Sequence, residues 1–191
     1  MAKINIQDKK CITPEFRVSF PQVFEAKSFE GAPPKFSVVM LFSKKTDLKL
    51  LKKCVINAAT EKWGPKEEWP EGLRLPFKDG DKKKDRQGYE GTIYVSATSK
   101  QRPGLVDQNL SPIAEGDGTF YAGCFARAEL LAFAYDTAGN KGVSFGLQNI
   151  QKTRDGESLS GRKKAEDVFE AIDDGSDDKA NYEEDADDIA L

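Results

Sequence analysis

The 191 residues carry 29 basic and 32 acidic side chains, a near-neutral total that hides an uneven split. Glu166 to Leu191 holds twelve acids against Lys179 alone, a charge of −11, so residues 1–165 keep +8. The absence of histidine removes the commonest general base and metal ligand, and Cys11, Cys54 and Cys124 stand apart without C-x-x-C spacing, so nucleophilic triads, zinc sites and disulfide frameworks are excluded.

Length fits one domain over residues 1–165 and a tail over 166–191. No apolar run is long enough for a membrane span, and Met1 to Asn5 lack the apolar core of a signal peptide, so a cytoplasmic protein is expected. Phe16, Val18 and Phe20 alternate with Arg17 and Ser19, the period of a strand with one face in the core. Gly31 and Pro33-Pro34 mark a loop, after which Phe36 to Phe42 is apolar on nearly both faces and reads as a central strand. Thr46 is placed to cap a helix that stops at Gly64-Pro65 and whose buried stripe is Leu48, Leu51, Val55, Ala58 and Ala59.

Residues 65–91 show no sustained period and are rich in glycine and proline, which predicts a long excursion without secondary structure. Trp69, Phe77 and Tyr89 are interleaved there with Lys78, Lys82, Lys83, Lys84 and Arg86. Rings separated by cations are what stacking bases and neutralising phosphates require, although Trp69 and Phe77 serve equally well as pins holding the loop to the core. Thr92 to Thr98 alternates again, with Ile93, Val95 and Ala97 inward and Tyr94 on the otherwise polar face, followed by Lys100 and Arg102. Thr119 to Tyr135 reads as one long strand with a small-residue face through Cys124, Ala126 and Ala128 and an opposite face carrying Tyr121, Phe125 and Arg127. Thr137-Ala138-Gly139-Asn140 is a hairpin loop into a strand through Val143, Phe145 and Leu147, and Gly142, Gly146 and Gly161 are expected at bulges or bends.

These elements imply a mainly β domain, a small barrel with one inserted helix and long loops, followed by an acidic tail too poor in apolar side chains to order in isolation. The candidate nucleic-acid surface comprises Arg17, Trp69, Phe77, Lys78, Lys82, Lys83, Lys84, Arg86, Tyr94, Lys100, Arg102, Tyr121, Phe125 and Arg127. Exposed rings favour unpaired strands, because the bases of a duplex are already stacked. A −11 segment tethered to a +8 body should compete for the same surface. Neither a metal nor a cofactor is indicated. The body's acids form no D-x-D or E-x-K constellation on a recognisable strand, so no catalysis is expected.

Arg17-Val18-Ser19-Phe20-Pro21, Gly91 to Ala97 and Gly142 to Gln151 resemble the recurring blocks of a bacteriophage family of single-stranded DNA-binding proteins with an OB-fold. Separately, Asp187-Asp188-Ile189-Ala190-Leu191 resembles the Asp-Asp-Ile-Pro-Phe tail tip of bacterial single-stranded DNA-binding proteins, with Ala190 and Leu191 replacing proline and phenylalanine. The resemblance implies sequence-tolerant coating of exposed strands in phage replication or recombination, without catalysis and, for a phage-encoded protein, in the host cytoplasm; the sequence leaves open both a monomer and an oligomer. Asp187, Asp188, Ile189 and Leu191 would dock phage or host replication proteins. The competing reading is a non-catalytic interaction or virion protein whose acidic tail binds a basic partner.

Overall fold

The computed structural model describes residues 4–161 and 168–170. The acidic tail, its expected disorder, the 165/166 boundary and the tip at Asp187 to Leu191 therefore lie outside the described residues, apart from Val168 to Glu170.

Eight strands and one helix follow in order: β1 Lys10–Ile12, β2 Phe16–Lys27, β3 Lys35–Ser43, α1 Lys49–Trp63, β4 Lys78–Asp79, β5 Thr92–Ser99, β6 Gly104–Val106, β7 Phe125–Thr137 and β8 Asn140–Arg154. Five of them close a ring. β2 pairs with β3 and β7, β3 with β5, and β7 with β8, all antiparallel, while β5 meets β8 in parallel. This is the topology of an OB-fold barrel, with α1 inserted between β3 and β5. Closure leaves the five ring strands no free edge.

Curvature comes from bulges. Register slips between Ser19 and Gln22 on β2, and β7 skips Gln148 and Thr153 on β8. Each extra residue bends its strand and raises the local twist. Of the glycines expected at bulges or bends, Gly161 sits in a bend at φ 67, whereas Gly142 permits a close crossing, since a Cβ there would fall 2.5 Å from Tyr135 Oη and 2.6 Å from the Arg74 carbonyl. The β7–β8 hairpin is as expected. Ala138 and Gly139, both at positive φ, make the two-residue loop whose twist suits paired strands.

The core lies inside the ring and under the helix. Phe16 and Val18 from β2, Val38, Met40 and Phe42 from β3, Val95 and Ala97 from β5, and Phe145 and Leu147 from β8 are buried, with Phe16 edge-on to Phe42 at 5.7 Å. Such side chains each contribute about 1.5–3 kcal/mol when fully buried. Leu48, Leu51, Val55, Ala58 and Ala59 bury the expected stripe of α1, and Ala126, Ala128 and Ala132 of β7 are small enough to let the helix approach. The three thiols are buried, and burial pushes Cys11 up to about 12.

Three boundaries differ from expectation. The helix starts at Lys49, and the side chain that accepts its first N–H is Asp47 at 2.9 Å, not Thr46. β7 begins at Phe125 because Tyr121 to Cys124 turns around Gly123, which sits at φ 114. Residues 65–91 are not structureless: they contain 3-10 turns at Lys66–Glu68 and Gly80–Lys83, strand β4, and a bridge from Arg74 to Gly142.

Candidate nucleic-acid interface

Register on the ring assembles one row of outward-facing residues. Arg154 on β8 lies opposite Phe125 on β7, Phe125 opposite Arg17 on β2, Arg17 opposite Leu41 on β3, Leu41 opposite Tyr94 on β5, and Tyr94 opposite Lys78 on β4. Directly opposed residues share a face, so three cations and two rings, interrupted by buried Leu41, lie in one row around the barrel from β8 to β4. The guanidinium of Arg154 lies 3.4 Å from the Phe125 ring centre, and the Lys78 and Lys83 ammonium groups lie 5.9 and 5.4 Å from that of Tyr94.

Two segments roof this row. The first, residues 78–91, folds back as a flap. Lys44 reaches Asp79 at 3.0 Å and also Asp81, and Asp81 accepts the Gly91 N–H at 2.7 Å. These bonds, led by the one from Lys44, hold both carboxyls below their ordinary range, and Asp81 and Asp79 in turn raise Lys44. Asp79 and Asp81 have D-x-D spacing, but both are engaged in this tether. The flap's own Tyr89 points inward, buried edge-on to Tyr94 at 5.3 Å, and its hydroxyl meets Ser19 Oγ at 3.2 Å.

The second segment, residues 155–161, is a strap. Arg17 donates through Nη2 to the Glu157 carbonyl at 2.8 Å, the Leu159 N–H donates to Ala122 at 2.8 Å, and Leu159 packs on Leu41 and the two tyrosines. Its path needs Gly123: a Cβ there would meet the Glu157 carbonyl at 2.0 Å.

A family model described as the ssDNA-binding protein of Enterobacter phage Enc34 matches residues 9–181. The chain belongs to this family. Protein p50 of Acyrthosiphon pisum secondary endosymbiont phage 1 is 36% identical over 155 residues, covering 76% of this chain and 83% of that protein. Among solved structures, the Enc34 single-stranded DNA-binding protein in complex with ssDNA superposes with a TM-score of 0.68 at 20% identity, over 80% of this chain and 90% of that one. The single-stranded DNA-binding protein gp2.5 of bacteriophage T7 gives 0.57 at 12% identity, over 87% and 96%. At such identities the structural likeness concerns the fold.

In this member of the Enc34 family the sequence-based candidates divide into three groups. Lys78, Lys82, Lys83, Lys84 and Arg86 are brought together on the flap, with Lys83 half-buried and the others exposed. Lys100 and Arg102 follow β5, and Arg102 lies 5.5 Å from the ring centre of Phe24. Around the β7–β8 end, Phe125 lies under Arg154, exposed Arg127 donates to Gln151 at 2.8 Å, and half-buried Tyr121 donates its hydroxyl to Asp155 or Gly156 at 3.0 and 2.9 Å.

Several of these side chains are placed differently from expectation. Tyr94 faces outward as expected yet is only 8% exposed, because the flap covers it, so it supports the surface rather than offering a ring to a base. Tyr89, itself on the flap, is buried because it packs inward against Tyr94 and Ser19 of the barrel. Trp69 and Phe77 take the pinning role: Trp69 donates Nε1–H to the Gly64 carbonyl at 3.0 Å, and Phe77 packs edge-on against core Phe145. Phe20 reverses its expected direction. At φ 43 the chain leaves the alternation just before the β2 bulge, so Ser19 is buried while the Phe20 ring is 52% exposed with Arg86 at 5.3 Å. Sequence reasoning also missed Phe29, 75% exposed beside the turn between β2 and β3. Its place next to Glu30-Gly31 at a loop tip was the available signal.

Proposed function

We propose that this chain binds single-stranded DNA with little regard to sequence, along the outer face of β2, β3 and β5 and the flap above it. The observation that carries the reading is the cluster of Lys78, Lys82, Lys83, Lys84 and Arg86 on the flap beside the exposed Phe20 ring, whose centre lies 5.3 Å from the Arg86 guanidinium. An unpaired strand offers charge and an open ring face at every nucleotide. Stacking supplies about 1–3 kcal/mol per base, and phosphate contacts add a term whose slope against log salt is about −0.7 each. Family membership supports the same ligand. Coating strands during phage replication or recombination in the host cytoplasm, without catalysis, is the corresponding role.

The tail, residues 166–191, acts on this site as a tethered polyanion and as a docking peptide for replication proteins. What supports competition is where the strap goes: Leu159 lies over Leu41, Tyr89 and Tyr94, so the −11 segment follows directly from the roof of the row. The deciding experiment is a titration against matched single strands and duplex of equal length at two salt concentrations. Preference for the single strand, with affinity falling as salt rises, is the expected result. Equal binding to duplex, or none at 50 mM salt, refutes the reading.

A further inference from the structure

One apolar groove is left over by the interface. It lies between α1 and residues 66–77, has a volume of about 450 Å³, and is lined by buried Val55, half-buried Trp69 and Phe77, and exposed Ile56 and Leu75. Lys52 and Lys66 complete its lining. The groove is preformed: Trp69 is fixed by its bond to Gly64 and Phe77 by its packing on Phe145, so an occupant would not have to order them.

The surroundings are basic. Lys49, Lys53 and Lys62 add to Lys52 and Lys66 on or next to the helix. Glu61 is held by Lys9 and Lys49 lies 3.8 Å from Asp47, so Lys52, Lys53, Lys62 and Lys66 stand against Glu67 and Glu68 in the 3-10 turn and Glu71 beyond it, a small positive excess. An occupant should therefore present carboxylates and, beside them, a short aliphatic stretch.

We propose that the groove receives the segment Asp187-Asp188-Ile189-Ala190-Leu191 of this same chain. Glu183, Glu184, Asp185, Asp187 and Asp188 supply the charge that the lysines lack, and Ile189 and Leu191 supply the apolar part. Two residues apart, those two side chains fall on one side of an extended backbone, as a narrow groove requires. Reach is no obstacle. The 30 residues from Gly161 to Leu191 extend up to about 100 Å at ~3.3–3.6 Å each, whereas a 165-residue body has a radius of gyration of about 15 Å. The assignment is independent of the single-strand reading, since neither Ile56 nor Leu75 belongs to the row.

The test uses the full chain, isotopically labelled, at low salt. In the wild type the amides of residues 187–191 should relax with the body, and Ile189→Asp or Leu191→Asp should shift the Trp69 indole and the Ile56 and Leu75 methyl signals. Each substitution is expected to weaken docking at least about tenfold, as the loss of one buried aliphatic side chain would. Ile56→Glu should release the tip to the same extent, and the two tail variants keep the test valid if that protein misfolds. Docking that persists on dilution assigns the tip in cis, whereas docking that fades assigns it to a neighbouring copy and overturns the assignment to the same chain. Tip amides that tumble freely in the wild type, or tip variants that move signals on β2, β3 and β5 while Trp69 stays still, overturn the proposal.

Discussion

Replacing Phe20 by leucine separates stacking from charge at the proposed interface. The ring is 52% exposed, and an aromatic side chain presents about 150–250 Å² in all, so roughly 100 Å² is open to a base. At about 25 cal/mol per Å² that area sets a ceiling near 2.5 kcal/mol, inside the range of about 1–3 kcal/mol measured for single stacking rings. Leucine retains part of the apolar contact and loses the π face, so a loss of about 1–2 kcal/mol is expected, a Kd raised roughly 5- to 30-fold. The φ of 43° is the same for either residue, so backbone strain does not enter the comparison. Folding stability should fall only by about 0.5–1 kcal/mol, the size of an exposed cation–π contact with Arg86. Fluorescence anisotropy with a labelled oligothymidylate between 50 and 200 mM salt reads both terms. The intercept should drop while the slope against log salt stays constant, because no phosphate contact has been removed. Unchanged affinity in a folded Phe20→Leu protein takes the ring out of the site, and a shallower slope shows that it acts only by seating Arg86.

Arg86→Gln should do the converse, lowering the slope by about 0.7; salt titration of the variant checks it. Tyr94→Ala should act through stability, costing about 3–5 kcal/mol as a large buried aromatic does. Urea denaturation would detect it, and a binding loss without destabilisation would contradict the covered position of the ring. Glu15 bonds Arg154 at 2.9 Å, and that bond holds its carboxyl below the usual glutamate value of 4.5. Because the folded value is the lower one, the pairing is complete above 4.5 and is lost as pH falls through the folded value. Glu15→Gln should therefore mimic low pH, free Arg154 and tighten single-strand binding at pH 7, which the same anisotropy assay measures. Deleting residues 166–191 should raise affinity at low salt, and an unchanged Kd there ends the competition argument.

The periods that were read from the chain survive where neighbours are local or where the core decides the face. Leu51, Val55 and Ala58 form the buried stripe of α1, Val95 and Ala97 point inward, and Ala138-Gly139 closes the hairpin, each from spacing or turn chemistry alone. The site was less legible for two physical reasons. A strand's period tells which way Tyr94 points but not that residues 78–91, tied by Lys44 to Asp79 and Asp81, fold back over it. Nor does it survive a bulge: the slip after Ser19 turns Phe20 to solvent, and nothing in Arg17-Val18-Ser19-Phe20-Pro21 marks that residue except the proline that ends the regular ladder. The row itself needs the register of five strand pairs, which no local pattern contains.

Register also decides which cations contribute positive potential. Arg154 stands against Glu15, so most of its charge is cancelled at distance, and Lys152 is buried against Asp155 at 2.8 Å. Arg17 instead donates to the carbonyls of Gly123 and Glu157, which are neutral acceptors, so its charge is retained. Lys78 and Lys83 face a ring, and two of the four acids on the flap, Asp79 and Asp81, already hold Lys44. The basic residues Arg17, Lys78, Lys82, Lys83, Lys84 and Arg86 therefore gather over β2, β3 and the flap, against Asp85 and Glu90 there, while Lys152 and Arg154 at the β7–β8 end are each paired with a carboxylate. On the proposed reading a phosphate backbone drawn to the barrel would meet the flap first, where the exposed Phe20 ring lies beside the charges. The tether that holds Lys44 thus has two effects: it fixes the flap on the barrel, and it occupies the two carboxylates that would otherwise repel the incoming strand.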